Sequence, residues 1–257
     1  MPTSAKDIAA RFAIATPDEL DALLERYGDD PRKQVQVAAA RAVKARDALV
    51  AEQHRVDALY SYQEEVSGGG IVIGVDEVGR GAVAGPLTVC AICLPAQPHV
   101  LGINDSKQLT PKRREEVAAD IREHADAIGI CHIPPETIDR VGMARALRMA
   151  MAGAIEDTGI EPDCVLIDGN PVHVHPKETC IVKGDARCAS IAAASIVAKV
   201  TRDALMDELD AVYPGYGFAA SKGYASKEHI DAIRSHGLTP VHRASFCGNF
   251  IEAPRLF

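Results

Sequence analysis

Two apolar runs in this chain end in the same chemical way. Ile71-Val72-Ile73-Gly74-Val75 leads into Asp76-Glu77, and Cys164-Val165-Leu166-Ile167 leads into Asp168-Gly169-Asn170. Both runs read as buried strands, so each leaves a carboxylate at a strand end, where an uncompensated charge is costly unless a cation, a basic partner or water offsets it. As neighbours in one sheet, the strands would project Asp76 and Asp168 from a common edge, offering the hard oxygen ligands that Mg²⁺ or Mn²⁺ takes. A third acid, Asp203, shares a helical face with Ser195 and Lys199 through the spacing i, i+4, i+8. The same spacing also describes an ordinary Lys199–Asp203 surface pair. Asp185, in Lys183-Gly184-Asp185, reads instead as a helix cap.

Asp76, Glu77, Asp168 and Asp203 around one or two divalent ions would suit phosphodiester hydrolysis. Such ions lower the pKa of the attacking water, orient it in line with the scissile bond and stabilise the departing oxygen. Carboxylates alone would repel a nucleic-acid backbone. Bound cations reverse that sign, and lysines or arginines nearby hold flanking phosphates. Lys107, Lys183, Lys199, Lys222 and Arg243 are the candidates for that task, each also readable as a plain surface base. The glycines of Val78-Gly79-Arg80-Gly81 permit a tight turn in which backbone closely approaches a ligand.

Positioning these groups requires a sheet. Ile71 to Val75, Leu87 to Leu94, Ala127 to Ile133 and Cys164 to Ile167 read as strands. Helices are predicted from Thr110-Pro111 to His124, from Thr137 to about Asp157, from about Cys188 to Ala211 and from Ser226 to His236. Strands mixed with helices of this length predict an α/β domain whose central sheet is covered by helices. The sequence before Ile71 lacks strand-like alternation. Thr16-Pro17-Asp18-Glu19 combines a hydroxyl cap, a proline at the first helical position and a glutamate three residues after the cap, so a helix runs from there to Gly28. Asp30-Pro31 opens a second one that ends at Ser67-Gly68-Gly69-Gly70. The predicted organisation is a helical hairpin over residues 1–70, serving as a cap or partner-binding element, and an α/β domain over residues 71–257 closing in a helical and proline-punctuated loop region.

Composition bounds the function. With 28 Lys plus Arg against 36 Asp plus Glu, the net charge is −8, which argues against a surface that coats nucleic acid or anionic membrane throughout and leaves room for a local basic groove. Glycine, proline or charge breaks every apolar run well before the length of a spanning helix, so no membrane contact is expected, and no basic-then-apolar leader opens the sequence. Seven cysteines, odd in number and mostly in apolar runs, fit a reducing cytoplasm. The chain is expected to act as a monomer.

Beyond single groups, a series of short motifs follows in order: Asp76-Glu77-Val78-Gly79-Arg80-Gly81, Asp105-Ser106-Lys107-Gln108-Leu109-Thr110, Ile167-Asp168-Gly169, Lys183-Gly184-Asp185, Ala198-Lys199-Val200-Thr201-Arg202-Asp203, and Tyr216-Gly217-Phe218 with Lys222-Gly223-Tyr224. Through them the chain resembles ribonuclease HII, the type 2 ribonuclease H family, over about residues 71–247. The resemblance implies a ribonuclease H-like mixed central sheet flanked by helices. It implies an endonuclease that hydrolyses the RNA strand of RNA/DNA hybrids and incises duplex DNA 5′ of embedded ribonucleotides, leaving 3′-hydroxyl and 5′-phosphate ends, in ribonucleotide removal during replication and repair. Asp76, Glu77, Asp168 and Asp203 would hold the metal. By similarity, Gly79-Arg80-Gly81 contacts the ribose 2′-hydroxyl and adjoining phosphates, and Tyr224 packs on the sugar of the following deoxynucleotide. RNA/DNA hybrid and ribonucleotide-containing duplex DNA are the implied partners. The helical extension is similar to that of longer bacterial members and is open to a protein partner. Ser221 and Ala244 depart from the histidine and arginine common in relatives, so contacts by those side chains are not carried over.

Two other readings stay open: another metal-dependent nuclease or strand-transfer enzyme of the same fold, and a non-catalytic hybrid-binding protein. The acids weigh against the second, since a polyanion-binding groove gains nothing from an unmetallated acidic cluster. A Ser-His-Asp hydrolase lacks its Gly-x-Ser-x-Gly element, and the glycine spacing after Asp76-Glu77 does not fit a pyrophosphate-binding turn.

Overall fold

A computed structural model describes residues 3–250. Its strands β1 (Val72–Val78), β2 (Leu87–Cys93), β3 (Ala127–Ile133), β4 (Cys164–Asp168) and β5 (Glu178–Ile181) form one mixed sheet in the order β3-β2-β1-β4-β5. The first three are antiparallel, while β4 runs parallel to β1 and β5 parallel to β4. The helices are α1 (Ala5–Ile14), α2 (Pro17–Tyr27), α3 (Lys33–Ser67), α4 (Pro111–His124), α5 (Pro135–Val141), α6 (Met143–Asp157), α7 (Ala189–Val212), α8 (Phe218–Ser221) and α9 (Lys227–His236).

Strand alternation assigns each face its helix. Ile73, Val75, Val165 and Ile167 pack with Ala146, Ala150 and Met151 of α6. The residues between them, Val72, Cys164 and Leu166, pack with Cys188 and Ile191 at the start of α7. Gly74 lies on the α7 side, where an added Cβ would sit 2.3 Å from the Ser190 carbonyl carbon and 2.4 Å from the Ile191 nitrogen. Helix backbone therefore rests directly on the central strand.

Local signals account for most boundaries. Thr16 and Glu19 form the expected capping box of α2, and Thr110 and Ser226 cap α4 and α9 through their hydroxyls. Four departures have physical causes. Ser4 caps α1, an alanine-rich helix not anticipated separately from the hairpin. The helix expected from Thr137 to Asp157 is two, because Gly142 at φ 77° ends α5 and begins α6. The strand expected to stop at Val75 continues to Val78, since Asp76, Glu77 and Val78 remain paired with Cys90, Val89 and Thr88 of β2. β5 is a short edge strand with too few residues for a period to be read.

The chain divides into two compact units, one up to Asp57 and one from Ala58 onward, so the division falls inside α3 rather than at the glycine run. The last turns of α3 explain it. Tyr62 and Val66 pack on the Val72, Cys164 and Leu166 cluster, and Gln63 Oε1 accepts the Ser190 N–H at 2.8 Å. The first unit has its own core of Ile8, Phe12, Leu20, Val35 and Ala39. Among the described residues no helix is long and apolar enough to cross a membrane. Residues 251–257 of the expected terminal loop lie outside the described residues.

Gly74→Ala forces α7 off β1 and is expected to cost about 2 kcal/mol or more, read as a lower urea midpoint at unchanged m-value. Gly81→Ala, with nothing within 4 Å of its added Cβ, should stay within about 0.5 kcal/mol of the parent. Equal midpoints for the two variants would contradict the packing argument.

Candidate active site

The β1–β4 register pairs Val75 with Ile167, so the next residues, Asp76 and Asp168, come side by side on the α7 face. Asp76 is only 7% exposed, and its Oδ1 accepts the Glu77 N–H at 2.8 Å. Burial, then the Glu77 charge, pushes the Asp76 carboxyl well above the usual carboxylate range; Asp168 adds to this and a Ser195 hydrogen bond opposes it. Glu77 is raised by burial, against the pull of Arg80. Asp168 is raised by burial and by Asp185, although the Gly184 N–H donates to its Oδ1 at 2.7 Å. All three acids are thus driven toward neutrality. The cations nearby, Arg80 paired with Glu77 and Lys107 paired with the neighbouring Asp105 and Asp185, have side chains 61% and 80% exposed, where water screens their charge.

These acids line a groove of about 430 Å³ together with Asp185, Gly79, Arg80, Gly81, Ser106, Lys107, Ser195, Lys199 and Tyr224. Asp203 lies outside that lining. Its Oδ1 receives Lys199 Nζ at 2.7 Å and its Oδ2 faces Arg114 Nη1 at 3.9 Å, so the Lys199–Asp203 spacing is realised as an ion pair. Asp185, read from sequence as a cap, instead sits buried in a 3₁₀ turn over Gly184–Ala186, 3.6 Å from Lys107 Nζ. α7 does not begin until Ala189, which frees the turn to bring Asp185 toward Asp168.

The basic candidates separate as clearly. Lys107 and Lys199 line the groove. Lys183 is exposed, in a left-handed conformation at φ 57°, and does not line it; its turn delivers the Gly184 N–H to Asp168. Lys222 is engaged by the Asp207 carboxylate and the Asp203 carbonyl. Arg243, expected to hold phosphate, is fully buried and cannot.

Arg243 and Arg202 instead hold the glycine turn in place. Arg202 donates to the carbonyls of Pro86 at 2.9 Å, Ala84 at 3.0 Å and Lys222 at 2.7 Å. Arg243 donates to Gly85 at 2.9 and 3.1 Å and to Arg80 at 3.1 Å. Burial depresses both, Arg243 to about 10, yet each guanidinium meets several carbonyl dipoles that offset its desolvation. Gly79, at φ 86°, would put a Cβ 2.2 Å from Arg202 Nε, so this position packs against the guanidinium and admits no side chain. Sequence reasoning missed Arg202, whose place beside Asp203 looks like one more helix charge. It also missed Arg114, which donates to the Ser106 and Leu109 carbonyls and fixes the Lys107 loop.

Among the described residues no three acidic, histidine or cysteine side chains are already drawn together as a closed metal cage. What fits a divalent cation is the donor set: carboxylates lining one groove, each raising another's proton affinity, with hard oxygens and no soft ligand.

The elevated Asp76 carboxyl has a stability consequence with a definite sign. The folded state keeps that proton to higher pH than the unfolded chain does, so stability is lost as pH rises above the ordinary carboxylate value of about 4. Asp76→Asn should therefore melt a few degrees higher than the parent at neutral pH in chelator, the gap closing as pH falls through the acid range. A lower melting temperature for Asp76→Asn at neutral pH would contradict this.

The chain is similar to proteins of one family. A family model described as ribonuclease HII matches residues 73–249, and one described as the ribonuclease HII N-terminal domain matches residues 4–67. A protein named ribonuclease HII from Lachnoclostridium phytofermentans is 44% identical over 226 residues, covering 88% of this chain and 89% of the relative. One of the same name from Enterococcus faecalis is 40% identical over 235 residues, covering 91% and 92%. The crystal structure of the ribonuclease H2 from Pyrococcus horikoshii superposes with a TM-score of 0.59 at 27% identity, covering 68% of this chain and 92% of that one.

Proposed function

As the chain belongs to the ribonuclease HII family, we propose that it hydrolyses the RNA strand of RNA/DNA hybrids and incises duplex DNA 5′ of an embedded ribonucleotide, leaving 3′-hydroxyl and 5′-phosphate ends. The coarse activity comes with the family, a hydrolase acting as an endonuclease on such hybrids. The observation that carries the finer reading is the shared groove, in which buried acids adjoin a glycine turn held by two buried arginines, with the half-exposed Tyr224 ring on the same wall.

Asp76, Glu77 and Asp168 are the residues that would hold Mg²⁺ or Mn²⁺, with Asp185 in the fourth place first assigned to Asp203. The cation would activate water and neutralise charge building on the phosphate. The chain's own groups do the rest. Burial of Asp76 keeps water from competing for its oxygens, Glu77 is half-buried beside it, and the Gly184 N–H holds Asp168 in one orientation. Residues 79–81 present backbone groups to a ribose 2′-hydroxyl. Arg80 and Lys107, exposed at their tips, reach flanking phosphates, and Lys199 is held for the same task by Asp203. Ser195 orients Asp76 through a hydrogen bond to its carboxyl. Tyr224 offers an aromatic face to a sugar without a 2′-hydroxyl. The activity suits ribonucleotide removal in replication and repair in the cytoplasm by a monomer, with the N-terminal unit open to a protein partner.

A strand-cleavage series on all-DNA, single-ribonucleotide and full-hybrid duplexes tests this. The expected result is nicking of the last two, abolished by chelator; equal cutting of all-DNA duplex would favour a different nuclease of this fold. Asp76→Ala should lower kcat by about 10³-fold or more with substrate binding largely retained. Asp185→Asn should raise the metal concentration needed for half-maximal rate, whereas Asp203→Asn should leave it near the parent value. The reverse pattern would restore Asp203 to the metal set.

A further inference from the structure

Behind the Tyr224 turn, an aromatic cluster encloses two histidines that the cleavage chemistry does not use. His229 in α9 and His242 in the following loop are 0% and 4% exposed, and their Nε2 atoms lie 3.0 Å apart. Phe218 meets His229 edge-on at 5.2 Å between ring centroids, and Tyr216 lies 5.1 Å from His242.

The remaining nitrogens settle where the protons sit. His242 Nδ1 is 2.9 Å from the Thr239 backbone nitrogen, and since a backbone N–H can only donate, Nδ1 is the acceptor and the His242 proton is on Nε2. That Nε2–H donates to His229 Nε2. The His229 proton is consequently on Nδ1, which donates to the Tyr224 carbonyl at 2.8 Å. The Thr239 hydroxyl, 2.8 Å from His242 Nδ1, is a second donor to it, and the steps from His242 to His229 and from His229 to Tyr224 each have one donor and one acceptor, with both rings neutral. Burial favours the neutral forms, depressing His229 and holding His242 down at about 4.

The carbonyl at the end of this chain belongs to a tightly tied segment. Its neighbour Gly223 accepts the Val83 and Ala84 N–H groups at 2.9 and 3.1 Å, and an added Cβ there would lie 2.4 Å from the Ala84 oxygen. The other wall of the same turn is bridged by His242 itself, whose backbone pairs with Ala84. The Tyr224 segment is thus anchored on one side to the glycine turn and on the other to the histidine pair.

We infer that His229 and His242 are positioning residues, a directional hydrogen-bond relay that sets the height of the Tyr224 ring against the sugar following the ribonucleotide. The relay rests on the proposed junction role of Tyr224. It predicts that discrimination between a single-ribonucleotide duplex and a long hybrid depends on the His229 Nδ1 donor, because only the single-ribonucleotide duplex confines cleavage to one junction.

Two conservative variants separate the ring's two contacts. His229→Asn keeps a donor near the Nδ1 position, aimed at the Tyr224 carbonyl, and loses reach to His242. His229→Gln reaches His242 and abandons the carbonyl. With the full-length, metal-loaded enzyme, His229→Gln should raise KM for the single-ribonucleotide duplex by about fivefold, the worth of one hydrogen bond, with little change on the long hybrid, and His229→Asn should restore most of the loss. Equal effects of both variants on both substrates, following their melting temperatures, would overturn the relay and leave a purely structural pair. Tyr224→Ala is the separating control. If it leaves the substrate preference intact, the junction role of Tyr224 fails and the relay with it; if it abolishes the preference while His229→Gln does not, the relay alone fails. Nitrogen-15 shifts of the parent protein should report His229 protonated at Nδ1 and His242 at Nε2, and the opposite tautomers would contradict the inference whatever the variants do.

Discussion

The structure is organised around a carboxylate that folding itself does not favour. Asp76 lies on a buried strand, beside Asp168 on the parallel neighbour and with Glu77 next to it, and each charge raises the cost of another. The groups that oppose this, the Ser195 hydrogen bond on Asp76, Arg80 beside Glu77 and the Gly184 N–H on Asp168, leave all three acids raised. The parallel pairing of β1 with β4 creates this conflict: an antiparallel neighbour at that position would bring a different part of the strand to Asp76. Gly74 deepens it by letting α7 press on β1 just before the acid, so that Ser195 sits close enough to hold the carboxyl. Stability given up at one point in a sheet is characteristic of a site whose proper complement is a ligand.

A second unusual arrangement answers the first. Arg202 and Arg243 are fully buried, and the partners of both guanidiniums are main-chain carbonyls rather than carboxylates. They tie residues 80–86 to α7 and to the segment around Lys222, which makes the glycine turn beside the acids a rigid surface. A carboxylate partner would have held either arginine more cheaply, but it would have added negative charge close to the acidic cluster. The aromatic and histidine cluster extends the same rigidity to Tyr224. Arg80 and Lys107, the groups proposed to meet phosphate, are by contrast left exposed.

How far the sequence discloses this depends on the range of the interaction. Strand alternation and helix caps are local, and they place β1 to β4, α2, α4 and α9 close to where they lie. Asp76 and Asp168 are legible because each ends an apolar run, and their meeting needs only the two strands to be neighbours. Asp185 is not legible in that way, for its position depends on a 3₁₀ turn after an edge strand too short to show a period. Asp203 lies on a well-spaced helical stripe that admits two readings, and the structure shows the ion pair with Lys199. Arg243 looked like a surface base because nothing in its neighbours signals that segment 239–247 folds under the glycine turn. The split at Gly142 was hidden by a helical pattern that continues on both sides of one left-handed residue.

We propose that carboxylates at the ends of β1 and β4, with Asp185, hold the cation, and that Asp203 stays outside its ligand set. A crystal of the protein grown with Mn²⁺ and measured at the manganese absorption edge locates the ion directly. The anomalous peak should lie within about 2.5 Å of oxygens of Asp76 and Asp168, with Asp185 facing the same ion. A peak held by Asp203, or none at the strand ends under conditions that support cleavage, would contradict that assignment.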